Sequence, residues 1–371
     1  MKYALLIIFQ YIKNPYSDRS LSILPGAIHD LNLAIQLCNK FQIYPQNITI
    51  VTDMISLHKK YSDYNFRCLR YPDDELVCRE IAQFIENTVR GIEDNIFKSG
   101  SEDQEVFFYV SGHGGQIEID GDINQGILLT HGNGMYKRYL LSTDLFNLLF
   151  GNNIITSDGE IKLSTWEKIS TSILTSTDST KSNQNNSIKS IKHTFSCHVT
   201  PVTSSPLNSP SIKSKPYRSN YLANRGLPAS TKMLILIDTC HSANMTAFPY
   251  RYDEKKQKMV SFMNSNIDIY EDLPFCVTIA ACSEDQKTKS TYEGSILTKM
   301  IYSRLNECHD TLTIGQLYYY LFEYSLPSFW CLPSLTIFSV FPIISSTSNN
   351  SDEMIPFFSN KYENEIIIID K

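Results

Sequence analysis

The chain has 371 residues, 42% of them hydrophobic, so it can bury a substantial core. Its formal net charge of −6 argues against a general nucleic-acid-binding protein, because such proteins usually present a basic face. The nine cysteines include no CxxC pair, so neither a disulfide framework nor a structural zinc site is predicted. Dispersed thiols of this kind suit a reducing compartment, and we expect a cytoplasmic protein.

The N-terminus allows two interpretations. Lys2 and the apolar run over 3–9 resemble the start of a signal peptide, but the run is short and no small-residue cleavage site follows closely. The same run also has the length and composition of a strand buried on both faces, which we favour. No apolar run approaches the roughly 18 residues of a transmembrane helix, so no membrane contact is expected.

Apolar runs alternate with helical patterns along most of the chain. This alternation predicts an α/β fold, a three-layer sandwich with a mostly parallel central sheet and helices on both faces. Further strands are predicted at 48–51, 105–110, 126–130, 233–238, 276–281 and 334–340, and helices at 27–40, 74–90, 142–150, 294–307 and 312–323.

The composition changes between residues 152 and 229. This stretch is dominated by Ser, Thr and Asn, and Asp178 is the only acidic residue between 171 and 230. Such a segment buries too little apolar surface to offset its ordering entropy. It is therefore predicted to be a flexible insertion within one domain.

Two predicted strands end in residues that suit nucleophilic catalysis. His113, within SGHGGQ, follows the strand over 105–110, and Cys240, within DTCHS, follows the strand over 233–238. Reactive groups gather at the carboxyl ends of parallel strands, where a histidine can serve as base for a cysteine. The backbone N–H groups of Gly114 and Cys240 are candidates to stabilise an oxyanion.

Each motif also has a simpler interpretation. Gly-His-Gly is more often a turn than a site, and a cysteine at a strand end usually serves packing. Cys240 beside His241 could suggest a metal site, but two adjacent ligands without further carboxylates are weak evidence. The joint occurrence of both motifs after buried strands favours catalysis.

The two motifs resemble those of metacaspases, and three further segments agree in order. The sequence FYVSGHGGQ is similar to the family's YSGHGxQ motif, and DTCHS to its DxCHSG motif. The other segments that resemble family motifs are GAIHDL (26–31), AACSEDQ (280–286) and PSLTIFS (333–339). The resemblance covers about 3–340, with the Ser-rich insertion excluded.

The resemblance implies a caspase-like peptidase domain over 1–345, interrupted by 152–229 and followed by a tail over 346–371. It implies a cysteine endopeptidase that works through an acyl-enzyme, with Cys240 as nucleophile and His113 as proton acceptor and donor. Metacaspases are generally monomeric, so a monomer that acts on protein or peptide substrates is expected.

The same resemblance places Asp30, Ser111 and Asp238 in the substrate pocket. Two carboxylates facing one pocket favour a cationic side chain and repel an acidic one, so cleavage after Arg or Lys is predicted. By itself, Asp30 could equally be a charge that favours a helix N-terminus.

The sequence departs from the family pattern at Ala27 and His29, which bears on fine pocket detail but not on the acidic pocket, and at Ala243, where the family usually has Gly. Many metacaspases need calcium, and the segment over 118–124 offers three acidic residues and one Asn. We favour a turn rich in Asp and Gly there, with calcium binding as the second interpretation and no cofactor otherwise expected.

Three further hypotheses accompany this prediction. Self-processing could occur at the Lys-rich segment 255–258 or at insertion residues, namely Lys213, Lys215, Arg218 and Arg225. A catalytically silent caspase-like scaffold or decoy is the main alternative, although such relatives commonly lose a catalytic residue. A lipid-anchor transamidase or asparagine-specific peptidase of the same clan is a weaker one, because the transamidase has Gln after its cysteine.

Overall fold

A computed structural model gives the fold of the chain. It describes residues 2–12, 22–69, 74–99, 104–119, 122–129, 139–150, 227–228, 231–248, 250–253, 258–261, 274–283, 286–288, 290–308, 312–325, 333–337 and 367–369. Its α-helices are α1 (Ala27–Lys40), α2 (Asp74–Ser99), α3 (Ser142–Phe150), α4 (Ile296–Glu307) and α5 (Ile314–Ser325).

Six of the nine strands of the main sheet match apolar runs of the sequence, whereas the strands at Asn65–Cys68, Tyr250–Asp253 and Lys258–Ser261 have no predicted counterpart. The central strands β1, β4 and β8 are buried along almost their whole length, as expected of parallel strands covered on both faces. The nine strands of this sheet are β1 (Lys2–Ile8), β2 (Ile48–Thr52), β3 (Asn65–Cys68), β4 (Gln104–Ser111), β8 (Thr231–Asp238), β9 (Tyr250–Asp253), β10 (Lys258–Ser261), β11 (Phe275–Ala280) and β15 (Ser334–Ile337).

The strand order is β10-β9-β15-β11-β8-β4-β1-β2-β3. All pairs from β11 to β3 are parallel, whereas β15, β9 and β10 extend the sheet by antiparallel pairing. Short strands form smaller sheets beside it: β5 (Gly114–Ile119), β6 (Asp122–Leu128), β7 (Tyr139–Leu141), β12 (Ser290–Thr291), β13 (Gly294–Ser295), β14 (Leu312–Thr313) and β16 (Ile367–Ile369).

Alternate residues of β1 contribute to two separate hydrophobic cores. Leu5 and Ile7 belong to the core shared with α2 and α3, whereas Leu6 and Ile8 belong to the core shared with α1, α4 and α5. Because successive side chains of a strand point to opposite faces, helices cover both faces of the sheet. The predicted three-layer α/β sandwich with a mostly parallel central sheet is confirmed.

Most predicted elements lie where the sequence indicates. The run over 3–9 is the buried strand β1, and helices α1 and α3 have the predicted bounds. The helix predicted from 294 begins instead at Ile296, because Gly294 and Ser295 pair with the preceding strand β12. None of the helices among the described residues is long and apolar enough to cross a membrane. Apart from 227–228, the proposed insertion lies outside the described residues, as does the tail apart from 367–369.

Candidate active site

The two motif-bearing turns follow neighbouring strands in the middle of the sheet. Strand β4 ends at Ser111 and β8 ends at Asp238, and these two residues are paired in the parallel register. His113 and Cys240 each follow two residues later, so both leave the sheet at the same carboxyl-end edge. This edge is where the ligand sites of open α/β sheets lie.

The two turns are in direct contact. A Cβ atom on Gly114 would lie 2.0 Å from the carbonyl oxygen of Cys240 and 2.7 Å from Thr239 Oγ1. No larger residue fits such an approach, so the glycine after His113 allows the histidine turn to touch the cysteine turn.

The pairing of β5 with β6 also orients the backbone of Gly114. Leu128 N–H donates to His113 O over 2.8 Å, and the next residue pair is Gly114 with Ile127. Hydrogen-bonded and non-hydrogen-bonded pairs alternate in an antiparallel ladder, so the N–H of Gly114 points away from β6. The N–H of Gly114, the predicted oxyanion donor, therefore makes no ladder hydrogen bond to β6.

The imidazole of His113 is half-buried, and its Nε2 lies 2.8 Å from the carbonyl oxygen of Ser22, within hydrogen-bond distance. Because a carbonyl oxygen only accepts, Nε2 carries the proton, and Nδ1 of the neutral ring holds the lone pair. Burial lowers the pKa of His113, with the contact to Ser22 as the opposing influence. The ring is therefore neutral at neutral pH and can act as a base through Nδ1.

The thiol of Cys240 is half-buried and donates to the carbonyl oxygen of Thr288 over 3.7 Å. Burial, followed by the proximity of Cys282, raises the pKa of this thiol. The resting group is thus a neutral thiol, which needs a base to become the nucleophile. The next residue, His241, has a left-handed backbone with φ 54°, a conformation uncommon outside turns and functional sites.

The segment after β11 holds the cysteine turn in place. His241 N–H donates to Gln286 O over 3.0 Å, and Cys282 N–H donates to Ser242 Oγ over 3.3 Å. The thiol of Cys282 also donates to Thr239 O over 3.5 Å. The described residues of the AACSEDQ segment therefore support the turn that presents Cys240.

Asp30 is a buried carboxylate at the start of α1, with 1% of its surface exposed. It accepts hydrogen bonds from Ser111 Oγ over 2.8 Å, from Ser295 N–H over 2.7 Å and from Ser295 Oγ over 2.7 Å. These donors come from β4 and from β13 at the start of α4. The arrangement fixes the carboxylate far more firmly than a helix-dipole role would require.

Asp238 is equally buried but only half satisfied. Its Oδ2 accepts from Thr298 N–H over 3.1 Å and from Thr298 Oγ1 over 2.7 Å, whereas its buried Oδ1 has no hydrogen-bond partner among the described residues. Burial, then the negative charge of Asp30, raises the pKa of Asp238 to about 7. A buried oxygen without a donor is costly unless a ligand supplies one.

The structure therefore brings the sequence-predicted residues into two neighbouring groups. The acidic cluster consists of Asp30, Ser111 and Asp238, and the dyad turns carry His113 and Cys240. Sequence reasoning missed Ser295 and Thr298, which supply four hydrogen bonds to the two carboxylates. The only available signal was a Ser and a Thr three residues apart at the start of a helix, a spacing that capping explains as well.

The residues that could bind calcium lie in the β5–β6 hairpin. The acidic side chains at 118, 120 and 122 are outside those that the structure describes, so calcium binding stays a prediction. Within the described part of the chain, no group of three or more His, Cys, Asp or Glu side chains could hold a metal ion.

Comparisons with known proteins find weak structural similarities, which include the two solved structures described below. No protein-family model and no curated protein matches the chain. A Geobacter sulfurreducens protein solved as a structural-genomics target has a TM-score of 0.46 at 11% identity, covering 92% of this chain and 95% of its own. Caspase-1 from Spodoptera frugiperda has a TM-score of 0.42 at 10% identity, covering 90% and 85%. The residues of the site, rather than these similarities, decide which function is proposed.

Proposed function

We propose that the chain is a cysteine endopeptidase of metacaspase type that hydrolyses peptide bonds after Arg or Lys. The observation that carries this proposal is the contact between the Gly114 and Cys240 backbones, which brings a histidine turn against a cysteine turn at one edge of the sheet. Two buried carboxylates lie beside these turns, Asp238 at the end of β8 and Asp30 near the start of α1. A nucleophile, a base and a cation-binding group are thus available together.

The proposed reaction begins from the neutral pair. Nδ1 of His113 takes the proton of the Cys240 thiol while the sulfur bonds to the scissile carbonyl carbon and the C=O electrons move to oxygen. The N–H groups of Gly114 and Cys240 stabilise that oxyanion. The imidazolium then protonates the leaving amine, and the C–N bond breaks to give a thioester. Water, deprotonated by His113, hydrolyses the thioester and restores the thiol.

The acidic cluster supports the choice of substrate. Asp30 contributes a carboxylate held by three hydrogen bonds, and Asp238 contributes an oxygen that lacks a donor. A guanidinium carries five N–H donors in a planar fork, and an ammonium carries three, so either can satisfy this oxygen and offset the repulsion between the two carboxylates. An acidic side chain would add a third negative charge to a buried site and is disfavoured.

Self-processing is proposed at the segment 255–258, which connects the antiparallel strands β9 and β10. The residues 254–257 lie outside those described, as do the candidate residues at 213, 215, 218 and 225. A chain cut at 255–258 in the wild type but intact in Cys240→Ala would support this proposal.

Paired fluorogenic peptides test the main proposal. Purified protein is incubated with peptides ending in Arg, Lys or Asp, each with added calcium or with a chelator, beside Cys240→Ala and the matched control Cys78→Ala. Cys78 is a buried thiol of α2, so its substitution tests general damage to the fold. Cleavage after Arg and Lys that Cys240→Ala loses and Cys78→Ala keeps is the expected result.

Other outcomes separate the alternatives. Cleavage after Asp would keep the cysteine peptidase but overturn the role proposed for Asp30 and Asp238. Folded protein that cleaves no peptide with or without calcium would contradict the enzyme and favour the non-catalytic scaffold. Comparing the rates with added calcium and with the chelator decides whether activity depends on calcium, for which the β5–β6 hairpin is the candidate site.

A further inference from the structure

Tyr11, just after β1, has a conformation that its surroundings must hold. Its backbone is left-handed, with φ 61°, and only 1% of its surface is exposed. This conformation is unfavourable for a bulky residue. The carboxylate of Asp53, after β2, accepts from Gln10 N–H over 2.7 Å and from Ile12 N–H over 3.2 Å, which fixes the chain on both sides of Tyr11.

The hydroxyl of Tyr11 is inserted into the β5–β6 ladder at His113. It accepts from His113 N–H over 2.8 Å and donates to Leu128 O over 2.8 Å. Continuing the register from Gly114 and Ile127 by one residue pairs His113 with Leu128, which should exchange two direct hydrogen bonds. The bond from Leu128 N–H is present, and the tyrosine hydroxyl replaces the other. Tyr11 therefore sets the position of the His113 backbone.

The ring of Tyr11 also lies against the imidazole of His113, with the two ring centroids 4.7 Å apart. Gly112 leaves room for this contact, since a Cβ atom there would lie 2.7 Å from the tyrosine hydroxyl oxygen. Burial raises the pKa of Tyr11 well above its ordinary value, so its hydroxyl remains a donor throughout the working pH range. Backbone and ring of His113 are thus held by one side chain.

We propose that Tyr11 is the positioning residue of His113: its hydroxyl fixes the histidine backbone and its ring fixes the imidazole plane. With Nε2–H engaged by Ser22, these contacts leave Nδ1 in one orientation. Tyr11 touches no reacting atom in the proposed reaction, so its role is to orient the base. The kinetic consequence rests on the proposed function, whereas the orientation of the ring does not.

The orientation is tested by NMR of ¹⁵N-labelled histidine in Cys240→Ala protein, alone and with Tyr11→Phe. The matched control is Tyr318→Phe, because Tyr318 is a buried tyrosine of the other core whose hydroxyl donates to Pro333 O over 3.1 Å. In the protein that retains Tyr11, the His113 signals should show the Nε2–H tautomer in a single environment. Tyr11→Phe should shift them and broaden them by exchange, while Tyr318→Phe leaves them unchanged.

Gly112→Ala gives a second, independent perturbation. Its new methyl group should displace the tyrosine hydroxyl without altering β1, and we expect the same change in the His113 signals. His113 signals unchanged in both Tyr11→Phe and Gly112→Ala would overturn the proposal. A change of equal size in Tyr318→Phe would also overturn it, because the effect would then be a general loosening of the core.

The effect of Tyr11 on catalysis is measured by steady-state kinetics in protein that retains Cys240. Tyr11→Phe should lower kcat on an Arg peptide about 10-fold to 100-fold while KM stays within about twofold, because a misplaced base weakens the chemical step and not binding. Unchanged kcat, or equal losses in Tyr11→Phe and Tyr318→Phe, would contradict the role in catalysis. If the wild type cleaves nothing, the proposed function fails, and the NMR result still decides whether Tyr11 orients His113.

Discussion

The acidic cluster and the dyad turns differ in how firmly their reactive groups are held. Asp30 accepts three hydrogen bonds, and Asp238 accepts two from Thr298, all within a region closed to solvent. His113 and Cys240 are half-buried, and the side chain of each makes a hydrogen bond to a backbone carbonyl among the described residues. The carboxylates of the acidic cluster are thus fixed by several donors, whereas the neutral side chains of the dyad turns have fewer hydrogen bonds, as the proposed proton transfer between them requires.

This difference separates the residues proposed to select the substrate from those proposed to carry out the reaction. In the proposed function, selectivity depends on two carboxylates that repel each other in the folded state, since burial and Asp30 together raise the pKa of Asp238. Reactivity rests on the lone pair of His113 and on the contact between two turns. Substitutions in the acidic cluster should therefore alter substrate choice, stability and pH dependence, and leave the chemistry of the thiol intact.

The largest effect is expected for Asp30→Asn. The variant keeps the shape of the side chain but loses the fixed negative charge, so kcat/KM for an Arg peptide should fall about 30-fold to 5,000-fold, which corresponds to the cost of about 2–5 kcal/mol for breaking a buried ion pair. The same peptide with citrulline, a neutral analogue of arginine, should lose less than about fivefold. Initial rates on the two peptides check this. Equal losses of kcat/KM on both peptides would mean that Asp30 supports the fold and does not recognise the positive charge of the substrate.

The second effect concerns pH and Asp238. Below its pKa the carboxyl carries a proton and no charge, so kcat/KM for Arg peptides should rise with pH through about 7, the raised pKa of Asp238. His113 does not account for a step there, because burial lowers its pKa below the ordinary 6.5. Rate profiles between about pH 5 and 9 should lose the step in Asp238→Asn and show it at lower pH in Asp30→Asn. A step that persists unchanged in both variants would contradict the assignment.

The raised pKa of Asp238 also makes the stability of the fold depend on pH, in a direction that can be predicted. The folded state binds the proton more tightly than the unfolded state, so the free energy of unfolding falls as pH rises from the ordinary 3.8 toward about 7. Asp238→Asn should therefore gain stability relative to the wild type at pH 8 and lose that advantage near pH 4. Urea unfolding at both pH values measures it, and a pH-independent difference would contradict the repulsion between the two carboxylates.

The smallest effect is expected for Ser295→Ala. The substitution deletes one of the three hydrogen bonds to Asp30, and a hydrogen bond to a charged group contributes about 1.5–3 kcal/mol to stability. Urea unfolding should show a loss of that order, beside Ser290→Ala in the exposed strand β12 as the control. Equal stability of the two variants would mean that the Asp30 carboxylate is less firmly held than its contacts indicate.

Sequence reasoning predicted the parts of this molecule that local pattern encodes. The apolar runs predicted β1, β4 and β8, and the absence of polar interruptions in these runs indicated a mostly parallel sheet covered on both faces. Placing reactive residues after strands then predicted that His113 and Cys240 would share one edge, which the register of Ser111 with Asp238 supports. The catalytic roles of these residues stay predictions.

The supporting residues could not be predicted in this way, because their partners are distant in sequence. Ser295 meets Asp30 across 265 positions, and Tyr11 meets His113 across 102 positions. A serine before a helix and a tyrosine after a strand have ordinary local explanations. Only the packing of α4 and β1 against the strand ends shows what these side chains contact.

The most direct test of the account is covalent labelling with a peptide chloromethyl ketone that ends in Arg, beside the same reagent ending in Asp. Mass mapping then identifies which of the nine cysteines is alkylated, and at what rate. The account predicts that the Arg reagent labels Cys240 alone, faster than the Asp reagent, and that Asp30→Asn removes most of this preference. Labelling at another cysteine, or equal rates for the two reagents, would contradict a single site that joins the thiol to the acidic cluster.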